Sequence, residues 1–435
     1  MSNLPHVAKE MNAVLTKSAE VAAKETGFVQ RSSKMTGSKF AQTLVLGWMK
    51  NPIASLDELT QVAAALQVAI TPQGLDTRFN EAAAELMEQV LEVALTKVIE
   101  GDAVPIPLLQ RFQGVYLQDS TVIALPKSLV SHWVGRSNNR GETTASLKIQ
   151  VRFDYKTGQL DGVCVQSGRE SDRASQTQTL PLPKHALRLA DLGYFSLKVL
   201  SDYDAAGVYF LTRLMSGTQL YDEDGQAFDL AERLKHSSPG VVDQRVAVGQ
   251  QFHLPCRLIA CRVPQEVGEQ RRRRLKEAAR KRQQALSPIA LILADWTIIV
   301  TNVPLELLSW QEALTLLRVR WQIELLFKLW KSHGRLDESR STNPWRILCE
   351  VYAKLVALVI QHWILLSCCW QNPNRSLTKA VKTIQGYVLH LAVVLNHTEQ
   401  VCESLETIRR CLSMGCRMNT RKNHPNTYQL LLEFD

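Results

Sequence analysis

One carboxylate set between two cations on a single helical stripe points more directly at chemistry than anything else in this chain. The stretch LRVRWQIELLFKLWK (317–331) places Arg320, Glu324 and Lys331 at intervals of four and seven residues. At roughly 100° of rotation per helical residue, these three share a face. The run is rich in helix formers and lacks Gly and Pro, which predicts one helix across it. Trp321, Phe327 and Trp330 flank the charges. A solvated face does not need so many aromatics, and a core face does not carry three charges. A site that handles phosphate wants an acid to bind a metal and cations to hold phosphate oxygens. The plainer alternative is that Glu324 pairs with Arg320 or Lys328 as a surface ion pair.

Phosphodiester chemistry needs a way to neutralise the scissile phosphate and to activate a water or hydroxyl, and two divalent ions about 3.5–4 Å apart do both. Mg²⁺ prefers hard oxygen ligands and keeps some waters, so two or three carboxylates on rigid elements suffice. Two further acids stand where packing explains them poorly. FQGVYLQDSTVIAL (112–125) reads as a strand ending at Asp119, and ALRLADLGYF (186–195) as a short strand stopping at Asp191. Taken singly, Asp119 also reads as a cap and Asp191 as a turn residue. Asp154, Asp161, Asp172, Asp202 and Asp204 compete with them, and spacing alone does not choose.

The elements that must position these acids follow from the pattern around them. Residues 1–100 read as helical, with a Ser55/Glu58 capping box opening a helix at Leu56 and Thr71-Pro72 opening another that runs to about residue 99. These two helices, joined by a short turn, resemble a helix-turn-helix in which Gln73, Thr77, Arg78 and Asn80 contact DNA; an ordinary helical hairpin is equally compatible. SLKIQVRFDYKTGQLDGVCVQSG (146–168) reads as two strands joined at Lys156-Thr157-Gly158. Residues 195–203 read as helical, and 207–265 as short strands with turns at DEDG (222–225) and SSPG (237–240). WTIIVTNVP (296–304) reads as a buried strand, and 345–370 as a long apolar helix.

Composition narrows the partner. The 435 residues suggest two to four domains, and 51 Lys plus Arg against 42 Asp plus Glu give a net charge of +9. That excess suits a polyanion, most simply nucleic acid. EQRRRRLKEAARKRQQ (269–284) carries Arg271, Arg272, Arg273, Arg274, Lys276, Arg280, Lys281 and Arg282 against Glu269 and Glu277, which favours DNA-backbone contact over a merely solvated helix. The nine Cys include no CxxC pair and read as reduced core thiols. The N-terminus lacks an apolar signal core, and LVALVIQHWILLSCC (355–369) is short and interrupted by Gln361 and His362, so no membrane span is expected and the chain reads as cytoplasmic.

The pieces QDST (118–121), LADLGYF (189–195), TNVP (301–304) and RWQIELLFKLWKS (320–332) resemble the bacterial insertion-sequence transposases of the DDE type, in particular the insertion-sequence-4 branch that includes the transposon-five enzyme. That branch is marked by the pattern Y-x2-R-x3-E-x6-K. Arg320, Glu324 and Lys331 match its last three positions, and Leu317 replaces the tyrosine. The resemblance covers residues 110–340. It implies an α/β fold whose ribonuclease-H-like core is interrupted by a β-rich insertion, with helical N-terminal and C-terminal regions. The gaps accommodate it: 191 − 119 = 72 and 324 − 191 = 133. The expected organisation is a helical DNA-binding domain (1–105), the first part of the core (106–205), the insertion with its basic arm (206–290), the second part of the core (291–372) and a helical C-terminal region (373–435).

By the same resemblance, the chain is a transposase that cuts and pastes its insertion sequence by metal-dependent hydrolysis and strand transfer. Asp119, Asp191 and Glu324 would hold two Mg²⁺ ions, with Mn²⁺ able to substitute. Arg320 and Lys331 would hold phosphates of the transposon end, with Lys328, Trp321 and the arginines 271–274 beside them. Trp321 and Trp296 are the candidates for stacking a flipped base, although Trp296 reads better as core. Partners would be double-stranded DNA, both ends and target, and a second protomer, with the protein associated with the nucleoid. The alternative is a catalytically degenerate DNA-binding copy that represses transposition.

Overall fold

The computed structural model describes residues 3–31, 34–137, 141–235, 237, 240–420 and 425–434. Helices α1 (Leu4–Ala13), α2 (Ala19–Glu25), α3 (Gly37–Lys50), α4 (Leu56–Ala65), α5 (Pro72–Asp76), α6 (Glu81–Leu95) and the short α7 (Pro107–Gln110) come first. Strands β1 (Val115–Leu125), β2 (Val134–Ser137), β3 (Thr143–Asp154), β4 (Leu160–Ser167) and β5 (Leu187–Ala190) follow. Then come α8 (Leu197–Ala205), β6 (Tyr209–Arg213), β7 (Leu220–Tyr221), β8 (Ala227–Phe228), α9 (Leu230–Lys235), β9 (Val241–Val248) and β10 (Leu254–Arg262). The chain closes with α10 (Gln265–Arg282), α11 (Pro288–Leu293), β11 (Trp296–Thr301), α12 (Trp310–Val319), α13 (Trp321–Ser332), α14 (Pro344–Cys369), α15 (Leu377–Val394), α16 (Thr398–Gly415) and α17 (Thr427–Leu431).

These elements form two compact units. One comprises Met1–Ile106, Asp119–Ser171 and Gln322–Glu433, and the other Pro107–Gln118, Asp172–Trp321 and Phe434–Asp435. The first unit is built around α14, buried along nearly its whole length, against which α3, α6 and α16 pack. Helix α14 is long and apolar enough to cross a membrane, yet 94% of its most apolar window is buried within the protein, as expected for a core helix. The capping box holds at α4: Ser55 Oγ accepts from the Glu58 N–H and the Glu58 carboxylate accepts from the Ser55 N–H. Strands β3 and β4 pair antiparallel across the Lys156-Thr157-Gly158 turn, and Gly158 takes a φ of +75° that its missing Cβ permits.

Two elements differ from the sequence expectation in this unit. The helix predicted to run from Pro72 to about residue 99 breaks after five residues, and α6 restarts at Glu81 because the Asn80 side chain accepts from the Ala83 N–H. The helix-turn-helix reading therefore loses its second helix. Asp76 pairs with Arg346 of α14 at 3.0 Å, the Arg346 guanidinium lies 5.5 Å from the centre of the Phe79 ring, and Asn343 donates to the Phe79 carbonyl, so this corner packs on α14. Arg78 lies half-buried between α5 and α6. Second, β1 does not end at Asp119 but continues six residues to Leu125. Beyond Ser120 its side chains alternate buried and exposed (Thr121 in, Val122 out, Ile123 in), the pattern of a strand with one face in solvent.

The second unit holds a sheet in the order β1-β5-β6-β11-β10-β9-β7-β8. Strands β1, β5 and β6 are mutually parallel, and β11, β10 and β9 continue antiparallel. The parallel strands are buried on both faces, as in sheets covered on both sides: β5 is buried at all four positions, Arg188 among them. Phe195, Leu200, Phe210, Val246, Leu258, Trp296 and Val300 form the core here. Strand β6 belongs to the parallel set, and β10 and β9 continue the same sheet beyond β11. The DEDG turn closes β7 on β8 with Gly225 at φ +75°, whereas Ser238 and Pro239 of the SSPG turn lie outside the described residues. All nine cysteines are free, but not all are core thiols: six are buried, Cys164 and Cys402 are partly buried and Cys411 is exposed; burial pushes the Cys261 thiol up to about 11.

Candidate active site

Asp191 follows directly on β5 and takes an extended conformation that opens a 3-10 turn over Leu192–Tyr194. Its backbone carbonyl accepts from the Tyr194 N–H at 2.9 Å, leaving the half-exposed carboxylate for other work. Arg320 provides one partner: its Nη2 stands 3.8 Å from Asp191 Oδ1, an ionic contact longer than a hydrogen bond. The Arg320 side chain is only 11% exposed, and its guanidinium sits 5.5 Å from the centre of the Trp321 ring. Its guanidinium presents a planar fork suited to phosphate oxygens.

The predicted helix 317–331 is two helices, α12 and α13, broken at Arg320. No Gly or Pro marks the break, so nothing in local propensity announces it. Glu324 falls in the first turn of α13, where the helix's positive end favours a carboxylate, and it is half-buried. Its neighbours Ile323, Leu326, Phe327 and Trp330 face inward and fix the helix, with the Phe327 and Trp330 rings edge to face at 5.8 Å. Lys331, in the last turn, donates to the Val122 carbonyl on β1 at 2.9 Å, and Lys328 is exposed. Leu317, where the family pattern has tyrosine, is packed in α12 at 8% exposure. Trp321 is 53% exposed, whereas Trp296 is 4% exposed beneath the Arg262 guanidinium, in agreement with a core role for Trp296.

Asp119 stands mid-strand in β1, half-buried, with its Oδ1 accepting from the Ser120 N–H at 2.8 Å. In the second unit, β1 and β5 are paired in register up to Gln118↔Ala190; in sequence, Asp119 follows Gln118 and Asp191 follows Ala190. Hard carboxylates of this kind have the right donor chemistry for a divalent cation. Among the described residues, however, no three His, Cys, Asp or Glu side chains are drawn together tightly enough to form a ready ligand set.

The basic helix α10 divides by function. Arg271 is half-buried and donates to the carbonyl of Trp296 and the hydroxyl of Thr297, and Arg272 pairs with Asp295. These two anchor the helix to the unit. Arg273 pairs with Glu277 one turn on, and Arg274, Lys276, Arg280, Lys281 and Arg282 are exposed. Sequence reasoning weighs the eight cations alike and misses this split, which depends on contacts from β11 and its flank. It also passes over Arg188, buried within β5 and bonded to Gln118. The one signal for it is a cation in the middle of the apolar run ALRLAD.

Residues 110–360 match the family model described as a transposase DDE domain. The chain is 26% identical, over 97% of its length and 92% of the relative's, to the transposase of insertion sequence element IS231F from Bacillus thuringiensis subsp. israelensis. It is 28% identical to that of IS231C from Bacillus thuringiensis subsp. berliner, covering 96% of this chain and 92% of the relative. To the transposase of IS1151 from Clostridium perfringens it is 24% identical, over 79% of this chain and 77% of the relative.

Proposed function

The chain belongs to the transposase DDE domain family and is a DNA transposase, and on that premise we propose that it moves its own insertion sequence by cutting at the ends and joining them to a target. The relatives named for insertion sequences support a bacterial element as its source. The reading that it is a degenerate repressor copy has less support. Within the family we assign it to the insertion-sequence-4 branch, on Arg320, Glu324 and Lys331, with a ribonuclease-H-like core around β1, β5 and β6.

The observation that carries the site is the pairing of Gln118 with Ala190, with Asp119 and Asp191 the residues that follow them in sequence. We assign Asp119, Asp191 and Glu324 as the carboxylates that hold divalent metal, Mg²⁺ as a pair of ions in preference, with Mn²⁺ as a substitute. When bound, such ions neutralise the scissile phosphate and lower the pKa of the attacking water or hydroxyl. Arg320, held beside Asp191 and against Trp321, contributes charge to the phosphate of the transposon end, and Lys331 and Lys328 extend that charge along α13. The Trp321 ring, half in solvent, offers a stacking surface for a base. Two protomers acting on paired ends, in the cytoplasm at the nucleoid, complete the reading.

Purified protein incubated with its element's terminal DNA and Mg²⁺ is expected to yield both cut ends and joined products, and neither when the metal is chelated. Cutting without joining would reduce the function to that of a nuclease; binding without either would favour the degenerate copy. The exposed side of α10 is the backbone clamp in this scheme. Replacing Arg274, Arg280 and Lys281 by Gln should weaken binding to all DNA sequences alike. It should also flatten the plot of log affinity against log salt by about 0.9 for each phosphate no longer neutralised, so by about 2–3 in all. An unchanged salt slope in a filter-binding titration would remove α10 from the DNA interface.

A further inference from the structure

Arg188 sits in the middle of the four-residue strand β5 at 2% exposure, between Leu187 and Leu189, three residues before Asp191. Its Nε and Nη2 both donate to Gln118 Oε1, at 3.0 and 2.8 Å, and Nη2 reaches Gln178 Oε1 at 3.5 Å. The guanidinium lies 5.4 Å from the centre of the Tyr203 ring. The other half of the Gln118 amide is engaged too: Nε2 donates to Thr177 Oγ1 at 3.1 Å, and Thr177 shares a hydrogen bond with Ser175. Tyr203, on α8, donates to the Gln178 carbonyl at 2.7 Å. Gln118, Thr177 and Gln178 are each no more than 2% exposed. This is a buried polar network joining β1, β5, the 3-10 turn over Gln176–Gln178 and α8.

A guanidinium is costly to bury, and a Leu or Met in its place would pack the strand more cheaply. What the network supplies instead is register. Tyr116 pairs with Arg188 and Gln118 with Ala190, so the Arg188 fork reaches diagonally to the residue that immediately precedes Asp119. Sliding β1 by one residue would turn every side chain to the opposite face and carry Asp119 with it. Strands buried on both faces and mostly apolar would lose little at their apolar positions in such a slip, whereas Gln118 and Arg188 would lose each other. The bond to Gln118 selects one register among them.

Resting on the assignment of Asp119 and Asp191 as metal ligands, we infer that Arg188 is a positioning residue: through Gln118 it fixes β1 on β5 and so sets where the two strands deliver those carboxylates. It acts on metal affinity and not on DNA binding. The test is Mn²⁺ binding, followed by electron paramagnetic resonance, on the full chain bound to pre-cleaved terminal DNA, together with the metal dependence of cleavage. Arg188→Met should bind Mn²⁺ about tenfold or more weakly, the range seen when the residues that orient metal ligands are replaced. The metal concentration for half-maximal cleavage should rise by a similar factor, with DNA affinity in the absence of metal unchanged. Arg188→Lys should recover part of the loss, and the double variant Arg188→Met/Gln118→Met should be no worse than Arg188→Met alone, because both changes break one linkage.

Wild-type Mn²⁺ affinity in Arg188→Met would overturn the inference. If that variant does not fold, Gln118→Met decides: a normal metal affinity there overturns it equally. Asp191→Asn separates the two levels. If Asp191→Asn itself binds Mn²⁺ as tightly as wild type, the metal-site assignment fails; if it does not while Arg188→Met does, only the positioning role fails.

Discussion

Glu324→Gln is expected to abolish cleavage and joining while leaving the protein folded and bound to its terminal DNA. The substitution keeps the length and shape of the side chain and removes the charge that a hard divalent cation requires. Its structural cost is small. Glu324 is half-buried in the first turn of α13, where a carboxylate gains about 0.3–1 kcal/mol from the helix dipole, and α13 is held by Ile323, Leu326, Phe327 and Trp330 on its inward face. Terminal-DNA affinity should survive because the cations proposed to meet phosphate, Arg320, Lys328 and Lys331, are untouched. The rate should fall by more than about 100-fold, beyond the usual effect of a residue that merely orients a ligand. Single-turnover cleavage at saturating Mg²⁺, run beside a gel-shift titration, reads both quantities. Equal cleavage by variant and wild type would remove Glu324 from the site.

Much of this arrangement is legible in the amino-acid sequence alone. The R-x3-E-x6-K stripe, the stop of β5 at Asp191, the Ser55/Glu58 cap and the apolar helix over 345–370 all follow from short-range pattern, and the structure bears out the last three as local features. What is not legible depends on partners distant in sequence. The break at Arg320 has no helix-breaking residue; the structure sets Arg320 against Asp191, 129 positions earlier by 320 − 191, and against Trp321. The break at residues 77–80 is marked only by Asn80, a good cap that helix periodicity outweighs. Asp119 looks like a strand end because a charge follows an apolar run, but β1 continues as its environment changes from covered on both faces to open on one.

The same limit applies to charge. A run of arginines shows that a helix is basic but does not say which of them are committed to their own protein. Arg271 and Arg272 are held by β11 and its flank, whereas Arg274, Arg280 and Lys281 extend into solvent. Conversely, the isolated cation in ALRLAD reads as an irregularity until Gln118, 70 residues earlier, is found against it. Sequence identifies the residue types that chemistry needs, and long-range contact decides which of them are available for it.

Lys354→Met is expected to destabilise this protein more than any single change at the DNA-facing surface or in the carboxylate set. Lys354 is 1% exposed in α14 and pairs with Glu350, one turn earlier, at 2.7 Å. Its ammonium also donates to the carbonyls of Arg335 and Glu338, at 2.8 and 2.7 Å, and Ser339 donates to Glu350. This buried pair therefore ties down the segment that leads from α13 to α14. Met fills the volume but strands a buried carboxylate and two carbonyls, which costs about 3–5 kcal/mol when one member of a buried pair is removed. Adding Glu350→Gln to the variant should restore part of the loss, because the uncompensated charge goes and only the carbonyls remain unmet. Burial holds the Lys354 ammonium below the ordinary lysine range, with Glu350 opposing that shift, so the folded state binds this proton less tightly than the unfolded chain does. The stability difference between wild type and Lys354→Met should accordingly widen as pH rises through the interval between those two affinities. Urea unfolding of both proteins across the alkaline range measures it, and a loss below about 1 kcal/mol, typical of exposed pairs, would show that the pair does not anchor this segment.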